Sequence, residues 1–412
     1  MSETWQAHFR DTLQSLKNRR LHRSPRCIES GIGARTTVSG REVLLFCSND
    51  YLGLAGDPQL KAAARQALEK WGTGAGASRL VSGNLSLYED LEAELATFKG
   101  TEAALVFSTG YAAHLGTIPA FAGDGDLILS DALNHASIVD ACRLSRARVA
   151  VYPHRDVDAV EHLLKTRSGE GKILVVTDGV FSMDGDLAPL VELTRCCERY
   201  DALLLVDDAH GTGVLGPRGR GAVEELGVQS ANIVHMGTFS KALGGLGGFI
   251  AGTHPVRDYL VNQARTLIYS TGLPPATLAA NREALRIVDE QPERRTHLRM
   301  LEEALRSGLQ TLGYTVPDVP TPIVPVLVGA EEAALDLSAF LWERGIFIPA
   351  IRPPTVPEGA SRLRISVSAA HELSHVEALL AALDEAVGHR ITRCLERVAE
   401  RRVCLPGPGR VL

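Results

Sequence analysis

Thr238-Phe239-Ser240-Lys241-Ala242-Leu243-Gly244-Gly245 follows directly on the apolar run Asn232-Ile233-Val234-His235-Met236. A lysine at the end of a buried strand is unusual, because stripping water from an ammonium is costly. The same cost lowers its pKa and makes it a usable amine nucleophile, as Schiff-base chemistry requires. Hydroxyls at Thr238 and Ser240 suit a phosphate, and Gly244 and Gly245 let backbone approach a flat ligand. Read alone, the stretch is better taken as an exposed loop with a solvated lysine. Its company in the chain decides otherwise.

Around it, short apolar runs alternate with helical patterns. The runs are Ala104-Leu105-Val106-Phe107, Leu127-Ile128-Leu129, Val149-Ala150-Val151, Ile173-Leu174-Val175-Val176, Leu203-Leu204-Leu205-Val206 and Gly248-Phe249-Ile250-Ala251. Continuous apolar runs separated by helices predict an α/β fold with a mostly parallel sheet covered on both faces. Ligands of such sheets bind at the carboxyl ends of the strands. A helix is expected over Pro58 to Trp71, and a long helical region from Leu273 to about Leu312. A smaller α/β unit follows, with strands at 324–327, 345–348 and 363–367. The expected division is an N-terminal arm over 1–45, a large domain over 46–290, a small domain over 291–388 and a basic, disordered tail over 389–412.

Composition limits the function classes. With 412 residues, 45% hydrophobic and 22% charged, the chain is long enough for two globular domains. Its net charge of -6 argues against a nucleic-acid surface. Seven unevenly spaced cysteines suggest reduced thiols, with the adjacent Cys196-Cys197 as helix or core residues. The start of the chain reads without the apolar core of a signal peptide, and no apolar segment is long enough to span a bilayer; the cytoplasm is the expected location. Gly72-Thr73-Gly74-Ala75-Gly76 follows a helix rather than a strand, so a dinucleotide loop is rejected, and no P-loop occurs.

The residues after each apolar run are the informative ones. Ser108-Thr109-Gly110-Tyr111 opens a helix whose first amides form an anion site, or a plain cap. Asn134-His135 follows the next run, and an imidazole there can stack on an aromatic ring. Asp178 to Gly185 and Asp207-Asp208-Ala209-His210 follow two more. Asp207 can pair with a protonated pyridine nitrogen, and His210 can reach the phenolic oxygen of such a ring. Asp208 points the other way on strand alternation and is read as structural. With Lys241 after the next strand, the set suits pyridoxal 5'-phosphate.

Several ordered motifs carry a resemblance over roughly residues 16–387. They are Ser48-Asn49-Asp50-Tyr51-Leu52-Gly53, Asn134-His135-Ala136-Ser137, Val180-Phe181-Ser182-Met183-Asp184-Gly185-Asp186, Asp207 to Gly213 and Thr238-Phe239-Ser240-Lys241. Together they resemble the α-oxoamine synthase family of fold-type I pyridoxal-phosphate enzymes. That resemblance implies a large domain with a mostly parallel seven-stranded sheet flanked by helices, a smaller C-terminal α/β domain, and a homodimer sharing its sites through Ile268 to Gly272. It implies Lys241 as the Schiff-base lysine, Asp207 at the ring nitrogen, His210 at the phenolic oxygen and His135 stacked on the ring. It places Gly110, Tyr111, Ser182 and Thr238 around the cofactor. Arg23, Asn49, His135 and Thr355 are implied at the substrate, and Arg364 at the carboxylate of an amino acid. Asp178 stands where some relatives have glutamate. The run Ala350 to Pro357, followed by Arg362-Leu363-Arg364-Ile365, resembles the branch that joins L-alanine to a pimeloyl thioester in biotin synthesis.

Rival readings remain at this point. Sister reactions join glycine to acetyl-CoA or succinyl-CoA, or serine to a long acyl-CoA. A non-catalytic family member would lack the lysine, which is present. His371-Glu372-Leu373-Ser374-His375 fits the zinc-protease pattern, with Glu396 as a conceivable third ligand, but the amphipathic helix it opens needs no metal and none is expected.

Overall fold

The structure, a computed structural model, describes residues 2–388 apart from Arg20 and Ser168. The tail expected to be disordered over 389–412, with Glu396, lies outside the described residues. The strands are β1 (Arg35–Val38), β2 (Arg41–Leu45), β3 (Ala103–Phe107), β4 (Leu127–Asp131), β5 (Arg148–Tyr152), β6 (Ile173–Asp178), β7 (Leu203–Asp207), β8 (Ile233–Thr238), β9 (Gly248–Gly252), β10 (Ile323–Gly329), β11 (Ile346–Phe347), β12 (Ala350–Ile351) and β13 (Ser361–Ser366). The first five helices are α1 (Glu3–Asn18), α2 (Pro58–Trp71), α3 (Ser86–Lys99), α4 (Gly110–Phe121) and α5 (Ala136–Leu144).

Seven strands form the central sheet in the order β3-β9-β8-β7-β6-β4-β5. Pairing from β8 across to β5 is parallel throughout, and β9 alone is reversed, antiparallel to both β8 and β3. Every other strand therefore ends at the same edge of the sheet. Side chains alternate between two apolar layers: Leu204 and Val206 pack into one, Leu205 between them into the other. Burial of each such leucine or valine stabilises the fold by about 1.5–3 kcal/mol. Where both faces are covered, the runs lose the polar alternation of a half-exposed strand, which is why they read as continuous.

Local chemistry sets the helices. Pro58 takes the first position of α2, and the Asp57 carboxylate accepts from Gln59 N–H while pairing with Arg294 at 2.7 Å. The long helical region is two helices, Pro275–Glu290 and Glu293–Thr311, broken at Gln291-Pro292 because proline blocks the ladder. Cys196 and Cys197 are buried on the helix Leu190–Arg199. Among the described residues, no helix is long and apolar enough to cross a membrane.

Two smaller sheets flank this core. In one, β13 lies between β10 and β12, with Arg364 opposite Pro325. In the other, β1 pairs with β2, and β2 pairs in parallel with β11, Leu44 opposite Ile346. The chain leaving β2 runs beside the end of β13: Phe46 O accepts from Ser366 N–H, and Tyr51 O from Ala369 N–H. This lays Asn49 and Tyr51 over Arg364.

Candidate active site

At the shared strand edge, Lys241 is half-buried and its Nζ lies 2.8 Å from Nε2 of His210. Nδ1 of the same ring is 2.7 Å from the Tyr51 hydroxyl. Tyr51 donates to Asn49 Oδ1 at 3.1 Å and accepts from Arg364 Nη2 at 3.1 Å. The hydroxyl's one hydrogen is thus used, so Nδ1 of His210 carries the ring hydrogen and Nε2 accepts from the lysine. Burial lowers the Lys241 pKa to about 8, against the pull of Asp207 and Asp178, with Arg364 adding to the lowering. Burial likewise holds His210 well below its ordinary value, with the Lys241 and Arg364 charges acting in the same direction.

Asp207 ends β7 with Asp178 beside it in register on β6. One Asp207 oxygen accepts from Ala209 N–H at 2.9 Å. Its Oδ2 receives no hydrogen bond among the described residues and faces Nε2 of His114 at 3.5 Å. Burial and the Asp207 charge push the Asp178 carboxyl well up. Asn134 fixes the edge by donating to Val176 O at 2.8 Å and accepting from Asp178 N–H at 2.9 Å. His135 follows as the exposed cap of α5. Asp208 does turn away: it pairs with buried Lys99 at 3.3 Å.

Arg364, on β13, donates to Ser182 O, to Asn49 Oδ1 at 3.2 Å and to Ser366 Oγ at 2.9 Å. These contacts bring Asn49, Ser182 and His210 together with Lys241. Thr238, at the end of β8, donates its hydroxyl to Gly247 O at 2.7 Å and caps Ser240 N–H. Gly110 opens α4 beside it; a Cβ there would meet Met236 at 3.1 Å and Thr238 at 3.7 Å. Tyr111 is exposed and hydrogen-bonded to Asp140.

One expectation finds other geometry. Gly244 and Gly245, expected to admit a ligand, instead admit the protein's own chain. A Cβ at Gly244, which has φ 65°, would lie 2.5 Å from the Leu54-Ala55 backbone, and one at Gly245 would lie 2.0 Å from Asn281. Arg23 is exposed and makes no hydrogen bond or ion pair with these residues; Thr355 is exposed in its loop, where Arg352 pairs with Glu331 at 2.7 Å. His371 precedes the helix Leu373–Gly388, so it shares no helical face with His375. Its Nδ1 accepts from Ser368 N–H, its Nε2 faces Leu45 O at 3.2 Å, and its ring stacks on Phe46. Among the described residues, no group of three or more side chains could hold a metal ion.

A curated protein of Geobacter sulfurreducens, 8-amino-7-oxononanoate synthase, is 52% identical over 373 residues, covering 90% of this chain and 95% of that one. The chain belongs to the 8-amino-7-oxononanoate synthase family. The broader family model, aminotransferase class I and II, matches residues 41–383. Among solved structures, a serine palmitoyltransferase variant of S. paucimobilis with bound PLP superposes with a TM-score of 0.88 at 32% identity, covering 93% of this chain and 97% of that one. An 8-amino-7-oxononanoate synthase of Francisella tularensis superposes with a TM-score of 0.73 at 27% identity, covering 84% and 98%. The fold-type I architecture expected from the sequence is thereby established for this synthase family member.

Two residues beside the site carry little signal in the sequence. Tyr51 lay in a quoted motif without a role, and only the fold shows its hydroxyl joining His210, Asn49 and Arg364. His114 is inconspicuous in the sequence, because Ala112, Ala113, Leu115 and Gly116 surround it with core-like neighbours. One signal was present: it lies four residues beyond Gly110, on the helix face that carries the strand-edge loop.

Proposed function

We propose that this chain condenses L-alanine with a pimeloyl thioester, giving 8-amino-7-oxononanoate, carbon dioxide and the free thiol carrier, in the cytoplasm. The observation that carries the reading is Lys241, an amine with its pKa drawn down to about 8, hydrogen-bonded to His210 and acted on by the charge of Asp207. The residues fit pyridoxal 5'-phosphate: the lysine for its aldehyde, the open Oδ2 of Asp207 for its ring nitrogen, exposed His135 for its ring face, and the first turn of α4 with Thr238 for its phosphate. When bound, that group supplies an electron sink for the carbon that loses its proton.

The chain's own residues divide the work. Arg364 presents a guanidinium fork to the alanine carboxylate, with Asn49 beside it. Lys241 removes the α-proton, desolvation having brought its amine from the ordinary 10.5 down to about 8, within reach of working pH. Asp207 keeps a proton on the ring nitrogen, and His210 steadies the phenolic oxygen. Overall a bond forms between the alanine α-carbon and the thioester carbonyl carbon, the carbon–sulfur bond breaks, and the carboxylate leaves as carbon dioxide. Arg23, on an exposed arm, is the cation for the distal carboxylate, with Thr355 lining the channel. A second copy completes the site through Ile268 to Gly272; exposed Tyr269, Leu80 and Val81 give it an apolar surface to cover.

The test offers alanine or glycine with acetyl, succinyl, pimeloyl and palmitoyl thioesters and identifies each aminoketone by mass. Alanine with the pimeloyl thioester should dominate, with only a modest preference over glycine because one methyl group adds about 1 kcal/mol. Dominance of glycine with acetyl-CoA would favour glycine C-acetyltransferase instead.

A further inference from the structure

His114 has no part in that chemistry, yet it is fully buried with Nε2 3.5 Å from Oδ2 of Asp207. Its other nitrogen, Nδ1, lies 2.8 Å from Oγ of Ser137. The same oxygen lies 2.6 Å from Nδ1 of His135. Ser137 is buried too, so the four side chains form one row from exposed His135 to the end of β7.

A hydroxyl has one hydrogen and can donate to only one of its two imidazoles. The charge on Asp207 decides which. A carboxylate only accepts, so Nε2 of His114 must carry hydrogen; a bare nitrogen there would set lone pair against lone pair away from water. Burial pushes the His114 pKa down to about 4, which keeps the ring neutral, so its Nδ1 must accept. Ser137 then donates to His114, and Nδ1 of His135 must donate to Ser137. The arrangement gives up only the long contact of 3.3 Å from Ser137 N–H to His135 Nδ1.

We propose that His114 and Ser137 are positioning residues that convert the charge of Asp207 into a tautomer of His135, with hydrogen on Nδ1 and Nε2 left as a bare acceptor. This rests on the proposed function, in which Asp207 is charged and His135 meets cofactor and substrate. It gives His135 an acceptor for a substrate hydrogen, where the alternative tautomer would present a donor.

Long-range proton–nitrogen NMR of the full chain, labelled with nitrogen-15 histidine, tests it with and without added pyridoxal 5'-phosphate. In the unaltered protein His135 should show hydrogen on Nδ1. In Ser137→Ala and in His114→Phe the Ser137 amide should recapture Nδ1, and the two nitrogen resonances of His135 should exchange places. Hydrogen on Nε2 in the unaltered chain, or an unchanged tautomer in Ser137→Ala, would overturn the proposal. Should His114→Phe not fold, Ser137→Ala decides alone. Failure to bind pyridoxal 5'-phosphate would instead strike the proposed function, since the tautomer is read without it.

Discussion

Lys241 and His210 share a hydrogen bond of 2.8 Å in which the imidazole is the acceptor, because its Nδ1 hydrogen is committed to Tyr51. A neutral partner offers the ammonium no charge to hold its proton. Desolvation then has its way, and the amine is freed near pH 8 rather than at the ordinary 10.5.

Only the unprotonated amine attacks an aldehyde, so the rate at which pyridoxal 5'-phosphate adds to the cofactor-free chain should climb as pH rises through about 8 and then level off. Stopped-flow absorbance measures it; a rate flat across that range would contradict the assignment. Borohydride should fix the label on Lys241, and Lys241→Ala should lose turnover by about a hundred- to ten-thousand-fold. Peptide mapping that finds another lysine would remove the central claim.

Adjacent aspartates should fail in different ways. Asp207→Asn should fold normally and lose at least about a hundredfold in turnover, because the ring nitrogen loses its charged partner. Asp208→Asn leaves Lys99 buried without its counter-charge, which should cost about 3–5 kcal/mol of stability. Melting temperature and kcat measured on both variants separate the two; equal effects on both quantities would refute the distinction.

Arg364→Lys keeps the charge but loses the planar fork and most of its four contacts. The KM for alanine should rise about ten- to a hundredfold, with pyridoxal 5'-phosphate affinity little changed. Titration of cofactor and steady-state kinetics on one preparation check it, and a selective loss of cofactor binding would point elsewhere.

His154 bridges Asp131 at 3.0 Å and Asp186 at 2.9 Å, tying β4 to the loop after β6. Burial opposes its charge, but the hydrogen bonds and charges of the two carboxylates outweigh that and raise its pKa to about 9. A raised value means stabilisation that is full below the ordinary 6.5 and fades as pH rises through about 9. His154→Asn should therefore be less stable by about 1–2 kcal/mol at about pH 6, with the gap closing by about pH 10. Thermal melts at both pH values decide; a gap independent of pH would assign the effect to packing against Phe181.

The strand edge was legible because covered strands read as unbroken apolar runs, and the polar residue after each is conspicuous: Asp178, Asp207 and Lys241 all announce themselves this way. Side chains that meet from distant segments do not. Tyr51, Ser182 and Arg364 converge only after three separate elements pack together, and Arg364 was legible through resemblance rather than spacing. His114 sits in an apolar helix where a buried histidine and a core residue look alike in sequence. Gly244 and Gly245 were misread because a glycine records that something comes close, without saying what.

The pairing of Leu44 with Ile346 has a consequence for how the enzyme is made. Asn49 and Tyr51 hang from β2, whose outer neighbour emerges from the ribosome about three hundred residues after it. During synthesis the central sheet can assemble around Asp207 and Lys241 first, because those strands follow one another closely. The segment that joins His210 to Arg364 must wait, holding an unpaired strand edge until the last quarter of the chain arrives. A nascent chain stalled after β9 should thus be protected at the sheet yet still be cut by protease between residues 46 and 53.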